Sequence, residues 1–125
     1  MGKAAEISPE VMKSRTKRFA MAIIALCQSL PNNREGRLIG DQIFRCGTSV
    51  ASNYRAACRA RSRAEFIAKM GIVEEEADET LFWLELIDDI QLLDKTLTAP
   101  LIKEGNELLS IVVSSINTAK KKAKP

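Results

Sequence analysis

Four arginines within nine residues, Arg55, Arg59, Arg61 and Arg63, flanked by Arg45 and Lys69, form the densest chemistry-bearing pattern in the chain. A guanidinium offers a planar fork of donors that matches a phosphate with two bonds. Several such contacts hold a nucleic-acid backbone in a salt-dependent way without reading sequence. The same side chains could instead favour the carbonyl end of one helix and pair with acids on the next. Both readings stay open at this point. Tyr54 stands beside the cluster and could stack a base, although a single aromatic more often fills a core or an interface.

Other chemistry is thinly represented. The chain has no histidine, which removes the imidazole base, the Ser-His-Asp and Cys-His nucleophile systems and the common nitrogen ligand of metals. Cys27, Cys46 and Cys58 are odd in number and lack CxxC spacing, so they read as reduced, space-filling thiols. Glu75 and Glu79, four apart within the run Glu74, Glu75, Glu76, Asp78, Glu79, superficially suggest the metal sites of ferritin-like bundles, but such sites need Glu-x-x-His. Mutual repulsion among these carboxylates favours a solvated face or pairing with bases over a desolvated catalytic acid. We therefore expect no catalytic residue, no metal and no cofactor, and a protein that is not an enzyme. There is no apolar run of membrane-spanning length and no signal-peptide pattern, and a cytoplasmic location with no membrane partner is expected.

The elements that must carry the arginines follow from apolar spacing. Ser8-Pro9 has the cap-then-proline form of a helix start, and Met12, Phe19, Ile23, Leu26 and Leu30 recur on one face up to the break at Pro31-Asn32-Asn33. A second helix begins between Asn33 and Arg37, with Ile39, Ile43, Cys46, Val50, Asn53 and Ala57 as its seam. Gly40 and Gly47 beside that seam imply close approach of a neighbouring backbone, and Asn53 implies a hydrogen bond across helices. Ser62-Arg63-Ala64-Glu65 is a capping box, so the chain must turn over Arg59 to Arg61. Arg55, Arg59 and Arg63 would share a face if helix 2 persisted; with the turn they crowd a helix 2–3 corner. Helix 3 then runs from Arg63 to near Leu93 with Phe66, Met70, Val73, Ala77, Leu81 and Leu84 inward, and Thr98-Ala99-Pro100 opens a fourth helix.

One domain over residues 9–119 is expected, with a flexible N-terminus over 1–8 and a flexible basic tail over 120–125. Length supports a single core, because 125 residues with 46% hydrophobic content can bury about two thirds of the open chain's surface. Phe82, Trp83 and Ile111, added to the wide apolar stripe of helix 4, exceed what one four-helix core requires. The simplest use of that excess is contact with further copies of the chain, or else a bundle that buries a wide stripe. Charge divides along the sequence: residues 1–63 carry a balance of +8 and residues 64–125 a balance of −5.

Asp41-Gln42-Ile43-Phe44-Arg45, Thr48-Ser49-Val50-Ala51-Ser52-Asn53, Arg61-Ser62, Glu65-Phe66 and Glu76 together resemble the bacterial 23S rRNA intervening-sequence protein, or S23, family. The most specific part is the run with Asp41, Gln42, Ser49, Ser52 and Asn53 on the second helix, and the likeness spans about residues 11–118. The resemblance implies an all-α, antiparallel up-down four-helix bundle that assembles as a ring-like homopentamer. It also implies nucleic acid as a partner, RNA or DNA, and a protein partner such as a reverse transcriptase, because relatives include the accessory protein of diversity-generating retroelements. Where many members read Ala-Glu-Gly after the Ser-Asn pair, this chain has Tyr54-Arg55-Ala56-Ala57-Cys58, which exchanges an acid for arginine. The expected function is a homo-oligomeric bundle that binds nucleic-acid backbone through Arg45, Arg55, Arg59, Arg61, Arg63 and Lys69. The alternative is a protein-interaction scaffold in which those arginines are salt-bridge partners.

Overall fold

Apolar residues at steps of three and four can be buried only if helices pack face to face, and the computed structural model, which describes residues 7–123, does this with four of them. They are α1 (Pro9–Ser29), α2 (Arg34–Cys58), α3 (Arg63–Asp89) and α4 (Lys95–Ala123). Short connections make neighbours antiparallel, and α1 packs on α2, α2 on α3, α3 on α4 and α4 back on α1. The described residues form an all-α up-down bundle with no strand. Residues 1–6 and 124–125, parts of the expected flexible ends, lie outside the described residues.

The first three helix starts follow the predicted chemistry. The Ser8 hydroxyl accepts from the Val11 N–H, Asn33 from Gly36 and Ser62 from Glu65, each satisfying an otherwise orphaned donor. The core runs along the bundle axis through Ile23, Ile43, Val50, Met70, Val73, Leu84, Leu108 and Val112, all buried. Helix α3, at 27 residues, is a rod of roughly 40 Å.

Five expectations need correction. Helix α3 stops at Asp89, short of Leu93, because Gln91 adopts a left-handed φ of 55°. The Gln91 N–H bonds to the Asp88 carbonyl and the Leu92 N–H to the Ile87 carbonyl, which is the Schellman closure of a helix end. Helix α4 starts three residues before Thr98, since the Asp94 carboxylate accepts from both the Thr96 N–H (2.8 Å) and its hydroxyl (2.7 Å). Pro100 therefore sits inside the helix, and Thr98 is buried with its hydroxyl donating to Asp88 at 2.5 Å. Gly40 and Gly47 admit side chains of α1, not its backbone: a Cβ on Gly47 would lie 2.8 Å from Ile23 and one on Gly40 3.2 Å from Leu30. Asn53 Nδ2 donates to the Ser49 carbonyl within its own helix at 2.9 Å, so it closes a local bond and none across helices. The last helix also continues through Ala123, which makes Lys120 to Lys122 helical where the sequence predicts fraying.

Candidate nucleic-acid interface

An up-down bundle has two ends, and the chain's turns decide which charges meet at each. One end collects the start of α1, the end of α2, the start of α3 and the end of α4. Residues 9–15, 52–69 and 117–123 bring ten Lys/Arg and two Asp/Glu to it, whereas residues 23–40 and 83–101 bring three and five to the other. The bundle is therefore polar between its two ends, a polarity distinct from that between the halves of the chain, since Lys69 and Lys120 to Lys122 of the acidic half lie at the basic end.

At the basic end the chain leaves α2 at Arg59, whose N–H bonds to the Ala56 carbonyl, and re-enters helix at Arg63 after the Ser62 cap. Only three residues separate those points, which forces Arg59, Arg61 and Arg63 onto one corner with Arg55 one turn back on α2. All four are exposed. Among the described residues Arg55, Arg59 and Arg61 make no ion pair. Arg63 Nη1 donates to the Lys122 carbonyl at 2.7 Å; this bond joins the corner to the last turn of α4 and satisfies one of its orphan carbonyls. Lys120, Lys121 and Lys122 therefore belong to the same surface. Residue types alone did not point to them, but the up-down order did, since it must return the end of the fourth helix beside the start of the third.

The other two predicted cations are placed differently. Arg45 stands at mid-bundle, where Nη1 meets Glu76 at 2.9 Å and Nη2 grips Glu79 at 2.7 Å. Trp83 Nε1 donates to the same Glu79 carboxylate at 3.1 Å. That indole bond, followed by Arg45, holds the Glu79 carboxyl below its ordinary value, and Glu79 together with Glu76 raises the already high pKa of Arg45. Arg45 is occupied, so it leaves the group of free cations. Lys69 is half-buried two turns into α3 and makes no ion pair among the described residues.

The motif residues are chiefly structural. Glu76 anchors Arg45, Ser62 is a helix cap, Ser49 supplies the carbonyl that accepts from Ser52 and Asn53, and Phe66 packs half-buried against the core. Asp41 and Gln42 are exposed on α2 and Glu65 is half-buried in the first turn of α3. Tyr54 is 6% exposed, so it belongs to the core and cannot stack a base. Burial, reinforced by Cys58, pushes its phenol up.

The thiols are free in the structure, with Cys46 buried and Cys27 and Cys58 half-buried. Burial pushes the thiols of Cys27 and Cys46 up, away from the reactive thiolate. One strut was not read from the sequence: Arg15 of α1 makes a two-pronged bond to Glu104 of α4 at 2.6 and 3.0 Å, with Glu107 at 3.4 Å. It clamps the α1–α4 seam, the least extensive contact of the bundle. No described helix is long and apolar enough to cross a membrane.

A four-helix up-down bundle with a paired arginine at its waist and, at one end, arginines without an ion pair among the described residues defines a class of small all-α proteins. Within that class the chain belongs to the 23S rRNA-intervening sequence protein family, whose profile matches residues 10–114. A solved structure of a protein of unknown function from the S23 ribosomal protein family of Bacteroides thetaiotaomicron is similar at 32% identity with a TM-score of 0.82. The likeness covers 89% of this chain and 99% of that one. No curated protein matches the chain.

Proposed function

We propose that this is a non-enzymatic, cytoplasmic, homo-oligomeric bundle that binds RNA or DNA through the phosphates, using Arg55, Arg59, Arg61 and Arg63 with Lys120 to Lys122 beside them. The observation that carries the reading is that Arg55, Arg59 and Arg61 are exposed with no carboxylate partner among the described residues, although the same chain pairs Arg45 and Arg15 closely. Cations left unneutralised on a rigid corner attract polyanions and release their counterions. Self-association, as the ring-like pentamer the family likeness implies, would repeat the corner and multiply those contacts. Exposed Met21, Leu38, Ile72 and Phe82 supply apolar surface for it. The family name, which ties relatives to an insert in ribosomal RNA, agrees with a nucleic-acid partner.

Titrating a fluorescent RNA at two ionic strengths tests the reading. Binding that falls steeply with salt and is lost in Arg59→Ala with Arg61→Ala supports it. No binding at low salt, together with an absorbance ratio typical of bare protein after gentle purification, rejects it. The scaffold reading, in which another protein such as a reverse transcriptase docks on the bundle, is favoured by the Arg45–Glu76–Glu79 network. It predicts a copurifying protein and no nucleic acid.

A further inference from the structure

We propose that the basic end selects the outside of a double helix and not an unpaired strand; this rests on the nucleic-acid reading above. Proteins that hold single strands combine a charged groove with exposed aromatic faces on which bases stack. The described residues of the basic end supply no such exposed aromatic face. Tyr54 is buried, Phe66 is packed against the core, and the exposed aromatics Phe44 and Phe82 lie elsewhere. Phe44 borders a cleft formed with Leu30, Pro31 and Arg37 near the opposite end, while Phe82 sits edge-on to Trp83 with ring centroids 5.0 Å apart. Another depression of the surface, between Asp88 and Lys95, is also at that opposite end.

What the basic end does supply is charge carried on four helix termini and pinned by the Arg63–Lys122 bond. A cationic surface without exposed aromatic faces meets phosphates and offers no platform on which bases stack. Its gain grows with phosphate density, and a duplex carries one charge per roughly 1.7 Å of axis against about 3.4 Å for one of its strands. The shared chemistry is the duplex backbone, whether of RNA or DNA.

The experiment uses the full chain and fluorescence anisotropy with four probes of equal length: an RNA duplex, the matching DNA duplex, and unstructured RNA and DNA single strands. Counterion release contributes about 0.9 of a decade per contact for duplex and about 0.7 for single strand between 0.1 M and 1 M salt, so four arginine contacts predict roughly sixfold tighter duplex binding at 0.1 M. The duplex salt slope should be steeper by about the same ratio of 0.9 to 0.7. RNA and DNA duplexes should bind comparably, and Arg59→Ala with Arg61→Ala should weaken both while helicity by circular dichroism stays unchanged. Single strands bound as tightly as duplexes, or more tightly, would overturn the duplex inference and leave the nucleic-acid reading standing, as would a preference beyond tenfold for one duplex type. Absence of binding to all four probes at low salt would remove the nucleic-acid reading itself and the inference with it.

Discussion

Arg45 and Arg59 are the same residue type, fourteen positions apart, one within α2 and one at its C-cap, and they end in opposite conditions. At Arg45 the facing helix presents Glu76 and Glu79, which take the guanidinium at 2.9 and 2.7 Å. At Arg59 the chain has left α2 and α3 has not begun, and no carboxylate pairs with it among the described residues. An arginine's role is therefore set by the residue that the antiparallel neighbour happens to bring level with it. A charge at the waist of a bundle is met by side chains from another helix, while a charge at its end is met by solvent and by the termini of the other rods. The first use locks two helices together; the second leaves the charge available to a ligand.

The sharpest way to break this contrast is to remove each kind of arginine separately. Replacing Arg55, Arg59 and Arg61 with alanine deletes three phosphate contacts. RNA affinity at 0.1 M salt should then fall by two to three orders of magnitude and the log–log salt slope by about 2.7, while the melting temperature falls only slightly, through the loss of Arg55 from the last turn of α2. Arg45→Ala should do the reverse, leaving affinity within about twofold and lowering the melting temperature, because it leaves Glu76 and Glu79 facing each other. Equal binding losses in the two variants would end the distinction between waist and end.

Smaller effects sharpen the comparison. Alanine at Lys120, Lys121 and Lys122 should cost about tenfold in affinity and also lower the melting temperature, since cations in the last turn of α4 favour its helix dipole. Affinity and melting temperature measured on one preparation separate this variant from the arginine triple. Glu76→Gln with Glu79→Gln should release Arg45 and raise affinity severalfold, about one added contact. Glu79 has a pH signature. A carboxyl held below its ordinary value in the folded state contributes stability that is present above the ordinary glutamate pKa of 4.5 and is lost as pH falls through the folded value. The wild-type melting temperature should therefore drop on acidification below about pH 4.5, and Glu79→Gln should flatten that part of the profile. The smallest change lies at the far end. Gln91 is the one described non-glycine residue with positive φ, so Gln91→Gly should stabilise the fold by roughly 1 kcal/mol, read from denaturant midpoints, without altering RNA affinity.

Much of this architecture was legible in the residues. Ser8-Pro9, Asn33 and the Ser62–Glu65 pair announce helix starts because a side-chain oxygen must meet the first free N–H groups, and that is local chemistry. The corner at Arg59 to Arg63 was legible for the same reason. Thr98-Ala99-Pro100 misled, because proline inside the second turn of a helix mimics a cap-then-proline start, while Asp94, four residues before Thr98, held the actual cap. The end of α3 was hidden too, since nothing in Gln91 marks it as a residue able to turn left-handed; glycine would have.

Sequence alone determined the number of helices, their inward faces and the crowding of arginines at the second turn, all of which depend on neighbours within a few positions. Tertiary structure decided which cations remain free. It tied Arg45 to acids 31 and 34 residues away, returned Lys122 to Arg63 across 59 residues and buried Tyr54. Pairing between charges depends on distances through space, and only the folding of antiparallel rods against one another brings such distant residues level.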